Sequence, residues 1–167
     1  KKKFPDDVLL DLVSHFNEYR LRNSDLEKED IFGDAYEYLL EQFADSAGKK
    51  AGEFFTPREV VNLLVRILKP QEGMSIYDPT CGSGGMLILS AKYVKENGGN
   101  PANLRLRGQE RNYGNYGMGK MNMLLHNIKR FDIKHGDALK NPLHLDKDGG
   151  LEKNDFVIAN FPFSMDW

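Results

Sequence analysis

The sequence predicts an α/β fold, a mostly parallel sheet with helices on its faces, preceded by a helical N-terminal segment. Three observations carry this. Before position 50, apolar residues recur at helical spacing. From about residue 70, short apolar strands alternate with turns and helices, the rhythm of βαβ units. The residues richest in chemistry (Asp78 to Gly85, Glu110, Asp137, and Asn160 to Phe163) all fall just beyond the carboxyl ends of predicted strands. Ligands of such sheets bind at that edge.

Taken in order, Leu9, Leu10, Val13, Phe16 and Tyr19 give residues 6–20 one apolar helical face, and Ile31, Ala35, Tyr38, Leu39 and Phe43 give a second helix that ends near Gly48. Thr56 is a suitable N-cap, Pro57 fits a first helical position and Glu59 the first turn, so a helix is expected over 57–68, stopped near Pro70. Ser75–Tyr77 reads as a strand, Asp78–Gly85 as a turn and Met86–Glu96 as a helix. After the break at Gly98–Pro101, Leu104–Gly108 is a second strand with Gln109 and Glu110 at its end. Asn115–Asn127 is a helix expected to turn Met118, Met121, Leu124 and Leu125 inward. Ile133–His135 is a third strand ending at Asp137. Residues 141–154 are a polar loop, and Phe156–Ala159 is a fourth strand.

The chain has 167 residues, 40% apolar and 29% charged, with net charge −2. This suits one soluble domain with a core. The charge disfavours a protein that coats nucleic acid by charge alone. Lys1 to Lys3 are expected to be a solvated run. No apolar run approaches the roughly 20 residues of a membrane helix, and no signal-peptide core follows the basic start. Cys81 is the sole cysteine, so no internal disulfide forms and a cytoplasmic location is expected. No metal-ligating cluster is expected. The absent initiator Met, and an end directly after a strand and its loop, suggest a fragment with an incomplete sheet.

Gly82, Gly84 and Gly85 let the backbone turn sharply and approach a ligand. The dinucleotide fingerprint needs glycine at 87, where Leu87 stands. A P-loop needs Ser or Thr after Gly-Lys, which Gly48-Lys49-Lys50 and Gly119-Lys120-Met121 both lack. Glu110 lies 32 positions (110 − 78) after Asp78, about one βαβ unit, so the two acids should be neighbours at one sheet edge. A carboxylate there can accept hydrogen bonds from both ribose hydroxyls of a nucleoside. Ribose without pyrophosphate fits S-adenosylmethionine better than NAD. Asp137 can accept from the cofactor's adenine amine, or serve as a turn residue.

Asn160-Phe161-Pro162-Phe163 places an amide beside aromatics and a proline at the same edge. An adenine N6 amine is a weak nucleophile because its lone pair is delocalised. Acceptors aimed at its two protons free that pair. Asn160 can supply one acceptor and a backbone carbonyl of the turn another. Phe163 can stack on an extruded base. The alternative is an Asn-initiated turn with core aromatics.

Together these segments resemble an N6-adenine amino-methyltransferase, and more closely the methylation subunit of type I restriction–modification systems. The matching pieces are Glu53-Phe54-Phe55-Thr56-Pro57-Arg58, Tyr77 to Gly85, Gln109-Glu110, Gly136-Asp137-Ala138-Leu139 and Asn160 to Phe163, in the family's order. The resemblance implies a Rossmann-like S-adenosylmethionine-dependent methyltransferase sheet, with residues 1–50 part of a helical N-terminal domain and 51–167 the first part of the catalytic domain. It implies that Phe55, Thr56 and Pro57 contact the methionine end of the cofactor. Asp78, Thr80, Gly82, Ser83, Gly84 and Gly85 would form the cofactor loop, Glu110 would hold the ribose, and Asp137 would lie near the adenine. Asn160, Phe161, Pro162 and Phe163 would form the catalytic turn. The implied partners are double-stranded DNA, a specificity subunit that reads its sequence, and a restriction subunit; the chain on its own is expected not to turn over. One residue departs from the family's Asn-Pro-Pro-Phe pattern: position 161 is Phe, whose φ no ring fixes. Two other readings fit parts of the pattern, a methyltransferase acting on protein or RNA, and a non-catalytic subunit that keeps the fold.

Overall fold

The computed structural model describes residues 5–19, 30–47 and 56–161. They divide into two compact units between Ile31 and Phe32. The first holds α1 (Asp6–Asn17), with Asp6 and Asp7 in its first turn, where the helix dipole favours negative charge. His15 packs edge-on against Phe16 and Tyr19. No residue of α1 is buried, and its apolar residues Leu10, Val13 and Phe16 are exposed.

In the second unit, α2 (Ile31–Ala47, from Phe32 on) precedes α3 (Arg58–Leu68). The start of α3 differs from the expectation. Pro57 is the N-cap and Thr56 makes no cap; the Pro57 carbonyl accepts from the N–H groups of Val60 and Val61 at 3.0 and 3.1 Å. The residue before a proline is pushed to extended backbone. The Thr56 hydroxyl accepts instead from the Asn160 side-chain amide at 3.1 Å. α3 ends at Lys69, in left-handed conformation, just before Pro70.

Among the described residues four strands follow: β1 (Ser75–Asp78), β2 (Arg105–Glu110), β3 (Phe131–His135) and β4 (Phe156–Val157). All pairings are parallel, in the order β3-β2-β1-β4. Between them come α4 (Gly85–Glu96), a short 3-10 turn at Pro101–Asn103, and α5 (Tyr113–Leu125). α4 lies between the sheet and α3, so its residues from Met86 to Ala91 are all buried. This is why its sequence is apolar nearly all round. Ile76, Leu106 and Ile133 meet it from the sheet. At the amino end of β1, Asp155 clamps β4: its carboxylate accepts from the Ser75 N–H and hydroxyl at 2.7 and 2.8 Å, and its own N–H donates to the Ser75 oxygen at 2.9 Å. The Ser75 backbone and side-chain donors hold the Asp155 carboxyl below its ordinary range.

α5 also corrects the expectation. Asn115, Gly119, Asn122 and Met123 face inward, whereas Met121 and Leu124 are exposed and Met118 and Leu125 only half-buried. The phase is set by contact with the glycine loop, which needs a small residue and an amide rather than bulk. A Cβ at Gly119 would stand 2.6 Å from the Gly82 carbonyl oxygen, and the Asn122 amide donates to the Ser83 carbonyl at 3.0 Å. Asn112, just before α5, caps it by accepting from the N–H groups of Gly114 and Asn115. Among the described residues no helix is long and apolar enough to cross a membrane.

Candidate functional site

The site is built at the carboxyl edge of β1, β2 and β4. The chain leaves β1 at Asp78 and turns through Pro79–Gly84 into α4. Gly82 and Gly84 both have positive φ, +50° and +80°, so glycine is needed where the loop turns. Three fixings hold this loop. The Cys81 N–H donates to the Gln109 carbonyl at 3.1 Å, the Gly82 N–H donates to Glu110 Oε2 at 2.9 Å, and Asn122 holds Ser83.

Asp78 and Glu110 are brought together as the βαβ spacing requires, both buried. One Asp78 oxygen accepts from the Thr80 N–H at 3.0 Å. Burial pushes the Asp78 carboxyl up to about 7, the Thr80 hydrogen bond opposes this, and the nearby Glu110 charge adds to it. Burial, with these two acids, also raises the Cys81 thiol. Glu110 is a structural ligand of the loop as well as a candidate binding group. Its Oε1 accepts from the Asn112 N–H at 2.7 Å, so one carboxylate ties the glycine loop to the start of α5. A carboxylate offers about four lone-pair sites, which leaves acceptor capacity on both oxygens.

Asp137 follows β3. Its Oδ1 accepts from the N–H groups of Leu139 and Lys140 at 3.0 and 3.1 Å, and its Oδ2 lies 3.7 Å from Arg111. The backbone donors and Arg111 hold its carboxyl low. Asp137 is thus a turn residue through one oxygen and faces Arg111 with the other.

Sequence reasoning gave no role to Gln109 or Asn122. Gln109 is fully buried; its amide donates to the Asn141 carbonyl at 2.9 Å and its oxygen accepts from the Leu143 N–H at 3.0 Å. It pins the loop after β3 the way a neighbouring strand would. A polar amide at a strand position flanked by buried Gly108 and Glu110 was the available signal. The signal for Asn122 was its helical spacing from Gly119.

Two cavities open on this edge. The larger, about 750 Å³, is bounded by Glu110, Asn112, Tyr113, Asp137, Leu139 and Phe161. The smaller, about 220 Å³, lies between α2, the start of α3 and the glycine loop, and is bounded by Asp34, Glu37, Arg58, Asp78 and Gly85. Thr80 and Asn160 line both, so the cavities meet there. Among the described residues the Thr80 hydroxyl is buried with no hydrogen-bond partner, and a Cβ on Gly85 would meet no atom within 4 Å. An apolar-walled chamber with ribose-compatible acceptors, joined to a small charged chamber, fits a nucleoside carrying a short charged tail. Phe55, Pro162 and Phe163 lie outside the described residues; the other candidate residues line these cavities or hold the loop between them. Pro57 is the exception, since it contributes the first carbonyl of α3.

The family model for N-6 DNA Methylase matches residues 27–167. The type I restriction enzyme HindI methylase subunit of Haemophilus influenzae is 37% identical over 137 residues, covering 81% of this chain and 30% of the relative. The type I restriction enzyme MjaVII methylase subunit of Methanocaldococcus jannaschii is 39% identical over 161 residues, 95% of this chain and 26% of the relative. The crystal structure of a type I restriction-modification system methyltransferase subunit from Streptococcus thermophilus superposes with TM-score 0.73 at 35% identity, over 84% of this chain and 30% of that one. The chain therefore spans less than a third of the length of these relatives.

Proposed function

The chain belongs to the N-6 DNA methylase family, and from that premise we propose that it forms the cofactor-binding part of an enzyme that methylates the N6 amine of adenine in DNA. The enzyme is read as the modification subunit of a type I restriction–modification system, working in the cytoplasm with a specificity subunit and a restriction subunit. In this reading residues 1–50 belong to a helical N-terminal domain and 51–167 open the catalytic domain.

The observation that carries the reading is the meeting of the two cavities at Thr80 and Asn160. S-adenosylmethionine, when bound, supplies a methyl group on a positively charged sulfur. Glu110 would accept hydrogen bonds from the ribose hydroxyls, and Asp137 Oδ2 would stand near the adenine edge. The small cavity would take the amino-acid tail. The reacting centre then falls beside Asn160. Its amide N–H donates to Thr56, which orients the group and leaves its oxygen to accept from the target amine. The Phe161 carbonyl would supply the second acceptor. No strong base is required, because displacement at the sulfonium depends on positioning and electrostatics.

The test is Asn160→Ala in the full-length protein with its partners, assayed by tritiated-methyl transfer to unmethylated DNA. Loss of one aimed acceptor should lower turnover by about 100-fold or more, with S-adenosylmethionine affinity nearly unchanged by calorimetry. Turnover within tenfold of the parent rejects the assignment.

A further inference from the structure

We propose that Thr56 is a positioning residue for the target side of the reaction: its hydroxyl aims the Asn160 amide, and the acid-lined small chamber sets which way that hydroxyl points. This rests on the reading of the site above and gives Thr56 a role different from the cofactor contact that its motif implies. The two residues meet across 104 positions of chain, Asn160 Nδ2 donating to Thr56 Oγ1 at 3.1 Å. Their mounts differ. Thr56 is half-buried at the entrance to α3, whose Val61 and Val65 are buried in the core. Pro57 restricts its backbone and its branched Cβ restricts χ1. Its hydroxyl is not spent on the helix, because the Pro57 carbonyl takes the N–H groups of Val60 and Val61. Asn160, by contrast, is exposed and stands two residues past Ile158, whose N–H ties the strand to the Tyr77 carbonyl at 2.9 Å.

An exposed asparagine has about three χ1 wells and two ways to present its amide, about six arrangements in all. The wrong end of the amide would set N–H donors against the N–H donors of the target amine. A hydroxyl can donate or accept, so a threonine alone would take either end. The chamber breaks this tie. Thr56 lines the small cavity together with Asp34, Glu37 and Glu41, and Arg58 is the sole fixed cation on its wall among the described residues. The excess of negative charge draws the hydroxyl proton toward the carboxyl groups and leaves the oxygen lone pairs to Asn160. Thr56 accepts in the structure, as this field favours. The Asn160 oxygen is then the end left to face the amine where the two chambers meet.

The test is a double-mutant cycle in the full-length protein with its partners. It is read as single-turnover methyl transfer to unmethylated DNA at saturating S-adenosylmethionine, so that product release does not mask the chemical step. Thr56→Val removes the hydroxyl at nearly constant volume and frees the amide among its arrangements, so transfer should slow by about 5- to 10-fold. Thr56→Ser should restore most of the loss. Thr56→Ala, which places no new methyl group in the site, repeats the comparison if valine lowers the melting temperature. S-adenosylhomocysteine affinity, by calorimetry, should stay within about twofold in all three. In an Asn160→Ala background, Thr56→Val should cost less than about twofold, because no amide is left to aim. Equal losses in the two backgrounds, or a parallel fall in S-adenosylhomocysteine affinity, would show that Thr56 acts through the fold or the cofactor and overturn the proposal. Transfer by Thr56→Val and Thr56→Ala within about twofold of the parent would overturn it as well. These results leave the adenine reading intact, which falls instead if Asn160→Ala keeps turnover within about tenfold of the parent.

Discussion

Two glycines in α5 stand two positions apart and should respond to alanine with opposite signs. Gly117 is exposed, and a Cβ there would meet nothing within 4 Å among the described residues. Gly117→Ala gains helix propensity, about 1 kcal/mol, so melting should rise by roughly 2–4 °C for a chain of this size. Gly119 has the same intrinsic gain, but its Cβ would lie 2.6 Å from the Gly82 carbonyl oxygen, where ordinary contact begins at 3.4 Å. The loop cannot easily yield, because Cys81, Gly82 and Ser83 are each hydrogen-bonded to β2, Glu110 or Asn122. Overpacking of this kind costs about 1–3 kcal/mol, occasionally more, and against a tethered backbone the upper end applies. The clash therefore outweighs propensity, and Gly119→Ala should melt roughly 2–8 °C lower. Moving Gly82 also moves the glycine loop proposed to hold the cofactor. S-adenosylmethionine affinity should fall at least about tenfold, since sub-ångström placement governs such contacts. Differential scanning calorimetry and titration of both variants give the answer. A melting temperature raised equally by the two substitutions would refute the packing of α5 on the loop.

Glu110→Ala should lower melting even without cofactor, since two backbone N–H groups lose an ionised acceptor worth about 1.5–3 kcal/mol each. Glu110→Gln should lose less stability, and unchanged melting of ligand-free Glu110→Ala would remove the tethering role. For Asp78 the sign follows from a folded-state pKa near 7, above its ordinary value. Between about pH 4 and 7 the unfolded chain has lost this proton and the folded chain keeps it, so Asp78 makes stability fall as pH rises, by a few kcal/mol at most, and level off above 7. Asp78→Asn should remove that fall, its melting advantage over the parent growing from pH 4 to pH 7. A pH-independent difference between the two would show that the carboxyl is not held protonated.

The sheet and its edge were legible in the sequence because periodicity and βαβ spacing are local. Asp78 and Glu110 are neighbours because the distance between them in the chain is one unit of the fold. Three things were not legible. The phase of α5 was misjudged because hydrophobicity favours Met121 and Leu124, while the loop selects Gly119 and Asn122 for size and hydrogen bonding. The Thr56 hydroxyl was assigned to a cap because local preference says so, and its partner Asn160 is 104 positions away. The acid pair on α2, Asp34 and Glu37, carries no signal in the sequence, since nothing in its spacing announces that Arg58 and a cavity lie opposite.

The contact between Asn160 and Thr56 also bears on how the protein matures. During synthesis most walls of the small cavity emerge before Asn160, which lies beyond β4 and joins the two chambers. Contacts so distant in sequence form late, because the intervening loop must close before they return any energy. A small molecule that needs both chambers cannot hold an unfinished chain. It stabilises a chain in which both chambers have formed, by mass action. The abundance of cofactor in the cell would then act as a check on folding, protecting copies whose chambers have met from proteolysis and leaving misfolded ones exposed.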